Sequence, residues 1–113
     1  MFYKALSIYV LLVTLLLGIA LSQQLKNPFS GDQKAVKEGA DLFKRYCESC
    51  HGVGGKGDIC PDLTKKNKKY GNTDSDLFLT ISKGRPGGMP NWDNTLGTER
   101  IWKVITYLRS IER

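Results

Sequence analysis

The chain has 113 residues, 41% hydrophobic and 25% charged, with 17 basic against 11 acidic side chains and a formal net charge of +6. That length excludes more than one domain, and so small a core often needs an external staple. The positive balance suits steering toward an acidic partner. Nucleic acid, the other common partner of a basic chain, is not expected, because the sequence opens on an export segment.

Lys4 gives a short positive start to an apolar run from Ala5 to Leu21, interrupted only by Ser7, Tyr9, Thr14 and Gly18. Ala20-Leu21-Ser22 places small residues at both critical positions before a cut ahead of Gln23, the pattern of a secretory signal over 1–22. Left uncut, the same segment is a membrane anchor at the short limit of bilayer-spanning length, where about 20 residues is typical. No cysteine adjoins the junction, so a lipid-anchored N-terminus is not expected. Removing 22 residues leaves 91, with 16 basic and 11 acidic side chains. The expected location is periplasmic or extracytoplasmic, soluble after cleavage or membrane-tethered without it.

A polar linker over 23–30 leads to the domain proper, 31–113. Ser30 with Gln33 resembles a capping box, opening a helix that runs to about Cys47. Val36, Gly39, Ala40, Phe43, Tyr46 and Cys47 recur at three- and four-residue steps and share one face. Gly39 costs a helix up to about 1 kcal/mol relative to alanine, which close approach of another helix over the missing side chain would explain.

Cys47-Glu48-Ser49-Cys50-His51 then spells C-x-x-C-H. Two thiols at this spacing can each add across a vinyl group of one haem, and the following histidine is placed to bind the iron. A thioredoxin-like pair belongs beside a βαβ pattern, absent here. Zinc would require adjacent Cys50 and His51 to share one tetrahedron with Cys47 and Cys60. A Cys47–Cys50 disulfide remains the plain alternative in an exported chain. The adjoining histidine and a methionine farther on favour haem, which would also staple the small core.

Residues 52–70 are rich in glycine, lysine and asparagine and read as a loop. Gly52-Val53-Gly54-Gly55-Lys56-Gly57 matches G-x-G-x-x-G, but no strand precedes it and no helix opens on it, so it reads as a flexible turn. Lys65, Lys66, Lys68 and Lys69 form a solvated loop or a docking patch. A second helix spans Asp74 to Lys83, capped by Asn72 or Thr73, with Leu77, Phe78 and Ile81 inward and Gly84 as its stop. After a loop from Arg85 to Leu96, the last helix begins near Gly97 or Thr98 and continues almost to Arg113. Ile101, Val104, Ile105, Leu108 and Ile111 form its apolar stripe, with Trp102 beside it. With no convincing strand and no repeat, the fold class is all-α.

The sixth iron position needs a ligand. Met1 leaves with the signal, so Met89 is the available methionine, set in Gly87-Gly88-Met89-Pro90. Glycines let the backbone approach a porphyrin, and proline stiffens the turn. A thioether favours ferrous iron, raises its potential and closes the position that oxygen or peroxide would need. His/Met ligation thus points to moving electrons rather than to catalysis.

The ordered set Gly39-x-x-x-Phe43-x-x-x-Cys47-x-x-Cys50-His51, Pro61-Asp62-Leu63, Gly84-Arg85-Pro86-Gly87-Gly88-Met89-Pro90-x-Trp92 and Ile101-Trp102-x-Val104-Ile105-x-Tyr107-Leu108-Arg109 resembles the class I c-type cytochromes over nearly all of the mature chain. The resemblance implies three to four short helices wrapped around one covalently bound haem c, held through Cys47 and Cys50. It implies crossed first and last helices, with Gly39 and Phe43 against Leu108 or Tyr107. It also implies that the Pro61 carbonyl accepts the His51 Nδ1 proton, and that Tyr70, Arg85 and Trp92 hydrogen-bond haem propionates. The plainer alternatives are packing beside the ligand loop for Trp92 and a solvated charge for Arg85. The methionine loop resembles small cytochromes that accept electrons from quinoprotein alcohol dehydrogenases, and similar loops occur in cytochrome subunits of oxidases. Cys60 departs from the pattern, standing where many relatives have glycine. A half-buried, unpaired thiol is expected, with a disulfide-linked dimer as the alternative.

The resulting expectation is a monomeric, non-enzymatic one-electron carrier between a periplasmic dehydrogenase or respiratory complex and an oxidase or cytochrome acceptor, docked through lysines near the haem edge. The alternatives are a haem enzyme or gas sensor with a displaceable methionine, and a fixed cytochrome subunit of a membrane complex.

Overall fold

The computed structural model describes residues 2–21 and 25–113, the side chains of 18–21 excepted. It contains five α-helices among these residues: α1 (Phe2–Leu21), α2 (Gln33–Tyr46), α3 (Glu48–His51), α4 (Asp74–Lys83) and α5 (Asp93–Ile111). One short 3-10 turn covers Val53–Gly55, and the described residues contain no strand, only a single antiparallel bridge between Arg85 and Met89. The all-α expectation holds.

Residues 2–17 of α1 are all exposed. Among the described residues no helix is long and apolar enough to cross a membrane. The expected cut after Ala20-Leu21-Ser22 and the start of the 23–30 linker fall outside the described residues.

α2 does not begin on Ser30. Its cap is Asp32, whose Oδ1 accepts the backbone N–H of Lys34 (2.9 Å) and of Ala35 (3.2 Å). A turn explains the shift: Asp32 N–H donates to the Phe29 carbonyl at 3.0 Å, and Gly31 sits at φ 78, which leaves Ser30 exposed ahead of the helix. The hydroxyl-for-carboxylate exchange preserves the capping chemistry.

α2 and α5 cross at Gly39. A Cβ there would collide with the Lys103 carbonyl of α5, so the glycine is required by backbone approach. Phe43, one turn on, is 1% exposed and packs its ring on Tyr107 at 5.3 Å between centroids. Around this crossing the core gathers Ile101, Trp102, Val104, Ile105 and Leu108 of α5 with Leu77 and Ile81 of α4. Trp102, expected beside the stripe, is itself buried and stacks on Phe78 at 4.5 Å.

α4 starts with a reciprocal capping box, Thr73 Oγ1 accepting from Asp76 N–H and Asp76 Oδ2 accepting from Thr73 N–H. It stops at Gly84 as expected. α5 begins earlier than expected, at Asp93, but Gly97 is non-helical (φ 75), so the continuous stretch does start at Thr98.

Candidate haem-binding site

Local structure sets the C-x-x-C-H segment. Cys47 ends α2 and opens α3, its carbonyl receiving N–H groups from Cys50 (3.2 Å) and His51 (3.0 Å). Both thiols and the imidazole are thereby presented from one helical turn, too short for sequence periodicity to reveal. Cys47, Cys50 and Cys60 are all unpaired and half-buried. Burial, helped by the neighbouring Cys50, pushes the Cys47 thiol up to about 11.

The glycine-rich segment that follows is more ordered than a flexible turn. Gly57 N–H bonds to the His51 carbonyl (2.7 Å), Leu63 N–H to that of Gly55 (2.7 Å), and Cys60 N–H to that of Cys50 (2.9 Å). Gly55 is buried at φ 69, where a Cβ would meet Ile111 and Phe43. This folding back carries Pro61 to the histidine: His51 Nδ1–H donates to the Pro61 carbonyl at 2.9 Å. A carbonyl can only accept, so in the neutral ring the proton lies on Nδ1 and the Nε2 lone pair is left for a ligand role.

A cleft of about 330 Å³ lies beside the imidazole, within the range of small-molecule sites. His51, Pro61, Tyr70, Arg85 and Met89 all line it, with apolar walls from Leu77, Ile81 and Leu108. Met89 reaches the cleft because the loop behind it folds tightly on Gly84 (φ 74), where a Cβ would press on Pro90 and Asn91 backbone. Arg85 N–H bonds to the Met89 carbonyl at 3.1 Å. The Arg85 guanidinium donates twice to Thr80 Oγ1 (3.0 and 2.8 Å) and lies 4.4 Å over the Tyr70 ring, so it is not a solvated charge.

Cys47, Cys50 and Trp92 are not among the residues lining the cleft. Trp92 packs on Tyr46, with 5.4 Å between ring centroids, at the edge of the core. Cys60 does line it, close beside Cys50. The lysine cluster divides. Lys65, Lys66 and Lys69 are exposed, whereas the Lys68 side chain is 8% exposed and bonded to that of Glu112, 9% exposed, a pairing that the sequence does not reveal. No pattern marks that pair, because 44 residues separate its members.

The donor set suits a c-type haem: unpaired thiols at attachment spacing in the turn that ends on His51, an imidazole with its Nδ1 proton committed elsewhere, a thioether, and a mostly apolar cleft lined by the imidazole and the thioether. Among the described residues no cluster of histidine, cysteine and carboxylate side chains could hold a bare metal ion.

Comparisons agree. Residues 34–108 match the family described as cytochrome c oxidase, cbb3-type, subunit III. The cbb3-type cytochrome c oxidase subunit FixP of Bradyrhizobium diazoefficiens is 39% identical over 77 residues, covering 66% of this chain and 27% of that protein. Quinohemoprotein alcohol dehydrogenase ADH-IIG of Pseudomonas putida is 32% identical over 82 residues, 70% of this chain and 11% of that protein. The chain thus spans under a third of these curated relatives. Among solved structures, cytochrome cL of Methylophaga aminisulfidivorans superposes with a TM-score of 0.74 at 30% identity, covering 77% of this chain and 59% of that one. Cytochrome cL of Hyphomicrobium denitrificans gives 0.72 at 27%, covering 78% and 54%. The match over residues 34–108 and these likenesses place the chain in the cbb3-type cytochrome c oxidase subunit III family, with the cytochrome c fold and covalently bound haem c.

Proposed function

We propose that Cys47 and Cys50 would hold the haem by thioether links and that His51 Nε2 and Met89 Sδ would ligate its iron. The observation that carries this reading is the shared cleft: imidazole and thioether line one apolar space, and the Pro61 carbonyl already occupies the other histidine nitrogen. Bound there, haem c supplies a one-electron iron centre. The chain's part is to fix the imidazole through Pro61, hold the thioether with the Arg85–Met89 bridge, exclude water with Leu77, Ile81 and Leu108, and offer Arg85 and Tyr70 to the propionates. Trp92 supports the methionine loop through Tyr46 instead. With His51 and Met89 both bound to the iron, the site would move electrons rather than turn over a substrate.

The donor is a periplasmic dehydrogenase or respiratory complex and the acceptor an oxidase or cytochrome. Exposed Lys69 and Ile59, the latter 81% exposed, line the cleft, and exposed Lys65 and Lys66 lie just before Lys69 in the same loop, a basic edge with an apolar point suited to a brief, salt-sensitive encounter. A fixed place in a membrane complex is the second reading, favoured by the oxidase-subunit relatives and by the apolar α1 segment. Residues 1–22 act as export signal or as tether. Mass measurement of the native protein separates the two, since a species beginning at Gln23 sinks the tether.

The ligand assignment is tested by the near-infrared band of iron–methionine coordination in the oxidised protein. It should be present in the wild type and absent in Met89→Ala. Its absence from the wild type, with ready carbon monoxide binding by the reduced form, overturns the carrier reading in favour of an open-iron sensor or enzyme.

A further inference from the structure

Four linked charges run from the wall of the cleft, where Lys68 stands, to Glu112, Arg109 and Asp74 behind it. Lys68 Nζ donates to the Lys65 carbonyl (2.7 Å), Asn72 Oδ1 (3.0 Å) and Glu112 Oε1 (3.1 Å). The two side chains of this ion pair are 8% and 9% exposed. Glu112 Oε1 also accepts from Arg109 Nη1 at 2.8 Å, and Arg109 Nη2 donates to Asp74 Oδ1 at 2.8 Å. Cation and anion alternate along the chain of contacts, so the group is neutral as a whole. It is not neutral as seen from the cleft, because Lys68 is the member that lines it.

We propose that the Lys68–Glu112 pair tunes the redox potential of the iron centre, Lys68 as the near cation that favours the reduced state and Glu112 as the farther anion that moderates it. The inference rests on the haem-bearing reading of the cleft. Reduction adds one negative charge to the site, so a fixed cation in its wall stabilises the reduced form and a fixed anion opposes it. Three acceptors pin the ammonium, so its field is not averaged over rotamers. Burial also withholds the pair from mobile ions, whereas the exposed lysines of the same loop are screened. Lys68 and Glu112 are positioning residues: neither reacts, and both act through the field at the iron.

The test is the midpoint potential of the holoprotein at low and at high ionic strength, for wild type, Lys68→Met, Lys68→Arg and Glu112→Gln. The potential should fall in Lys68→Met, rise in Glu112→Gln and stay close to wild type in Lys68→Arg, with both shifts surviving high salt. A loosened fold would move both single variants the same way, so shifts of one sign, no shift, or shifts that vanish in salt overturn the proposal. Should Lys68→Met fail to fold, Glu112→Gln decides alone: a potential that does not rise refutes the pair's role. Failure of the haem reading itself would show separately, as pigment lost from denatured wild type.

Discussion

Replacing Gly39 by alanine tests the helix crossing directly. The added Cβ would lie 2.7 Å from the Lys103 carbonyl carbon and 3.0 Å from Tyr107 Cβ. The first is roughly 1 Å short of the ~3.5–4.0 Å at which carbons pack. These obstacles are α5 backbone and a Cβ, not the free end of a flexible side chain, so α5 must retreat bodily. Phe43, Ile101 and Ile105, each at most 1% exposed, lose packing as it does. Overpacking of this kind costs about 1–3 kcal/mol, and the lost core contacts add to it. Against this, alanine improves helix propensity by up to about 1 kcal/mol. A net loss of about 2 kcal/mol follows, near the upper end of the overpacking range less the propensity gain. In a domain this size each kcal/mol lowers the melting midpoint by about 4–8 °C. Urea unfolding of the holoprotein, followed by far-ultraviolet circular dichroism, measures the difference. A variant as stable as wild type, or more stable by the propensity gain, would refute the close approach.

Thr73→Ala removes a donor–acceptor pair at the start of α4 and should cost about 1 kcal/mol in the same assay. Met89→Ala should keep the pigment attached while opening the iron to added imidazole or carbon monoxide, read by optical titration. Acid stability follows from the charge group behind the cleft. Burial pushes Glu112 up, but hydrogen bonds from Lys68, Arg109 and Asn72 outweigh it and hold the carboxyl below its ordinary value of 4.5. Asp74 behaves alike, burial opposed and outweighed by Arg109 and by the Asn27 N–H. A depressed folded pKa contributes stability that is whole above the unfolded value and lost as pH falls through the folded one. The melting midpoint should therefore hold above about pH 4.5 and drop below it, and Glu112→Gln should flatten that drop.

The parts of this molecule written in short-range pattern are legible in its sequence. The apolar stripe of α5, the Thr73 cap and the Gly84 stop each depend on residues a few positions apart, and Gly39 stands out because glycine is costly inside a helix. The C-x-x-C-H and Gly-Gly-Met-Pro segments announce their chemistry by composition. What escapes is long-range or conformational. Nothing near Lys68 says that it pairs with Glu112, and a run of four lysines reads as solvated whichever one turns inward. The glycines at 52, 54, 55 and 57 read as looseness, whereas their positive φ values fold the backbone under His51. Ser30 and Asp32 are both good caps, and the Phe29–Asp32 turn chooses between them. Trp92 stands three residues past Met89, which reaches the cleft, yet its ring packs on Tyr46.

Pigment retention on the unfolded chain examines the central claim most directly. Acidified organic solvent is added to the denatured holoprotein, and the mass of the polypeptide is recorded. The account predicts that the colour stays with the protein, at the mass of the chain plus one haem, and that Cys47→Ala/Cys50→Ala loses both. Colour passing into the solvent, or a wild-type mass equal to the bare chain after maturation in a competent host, would contradict it.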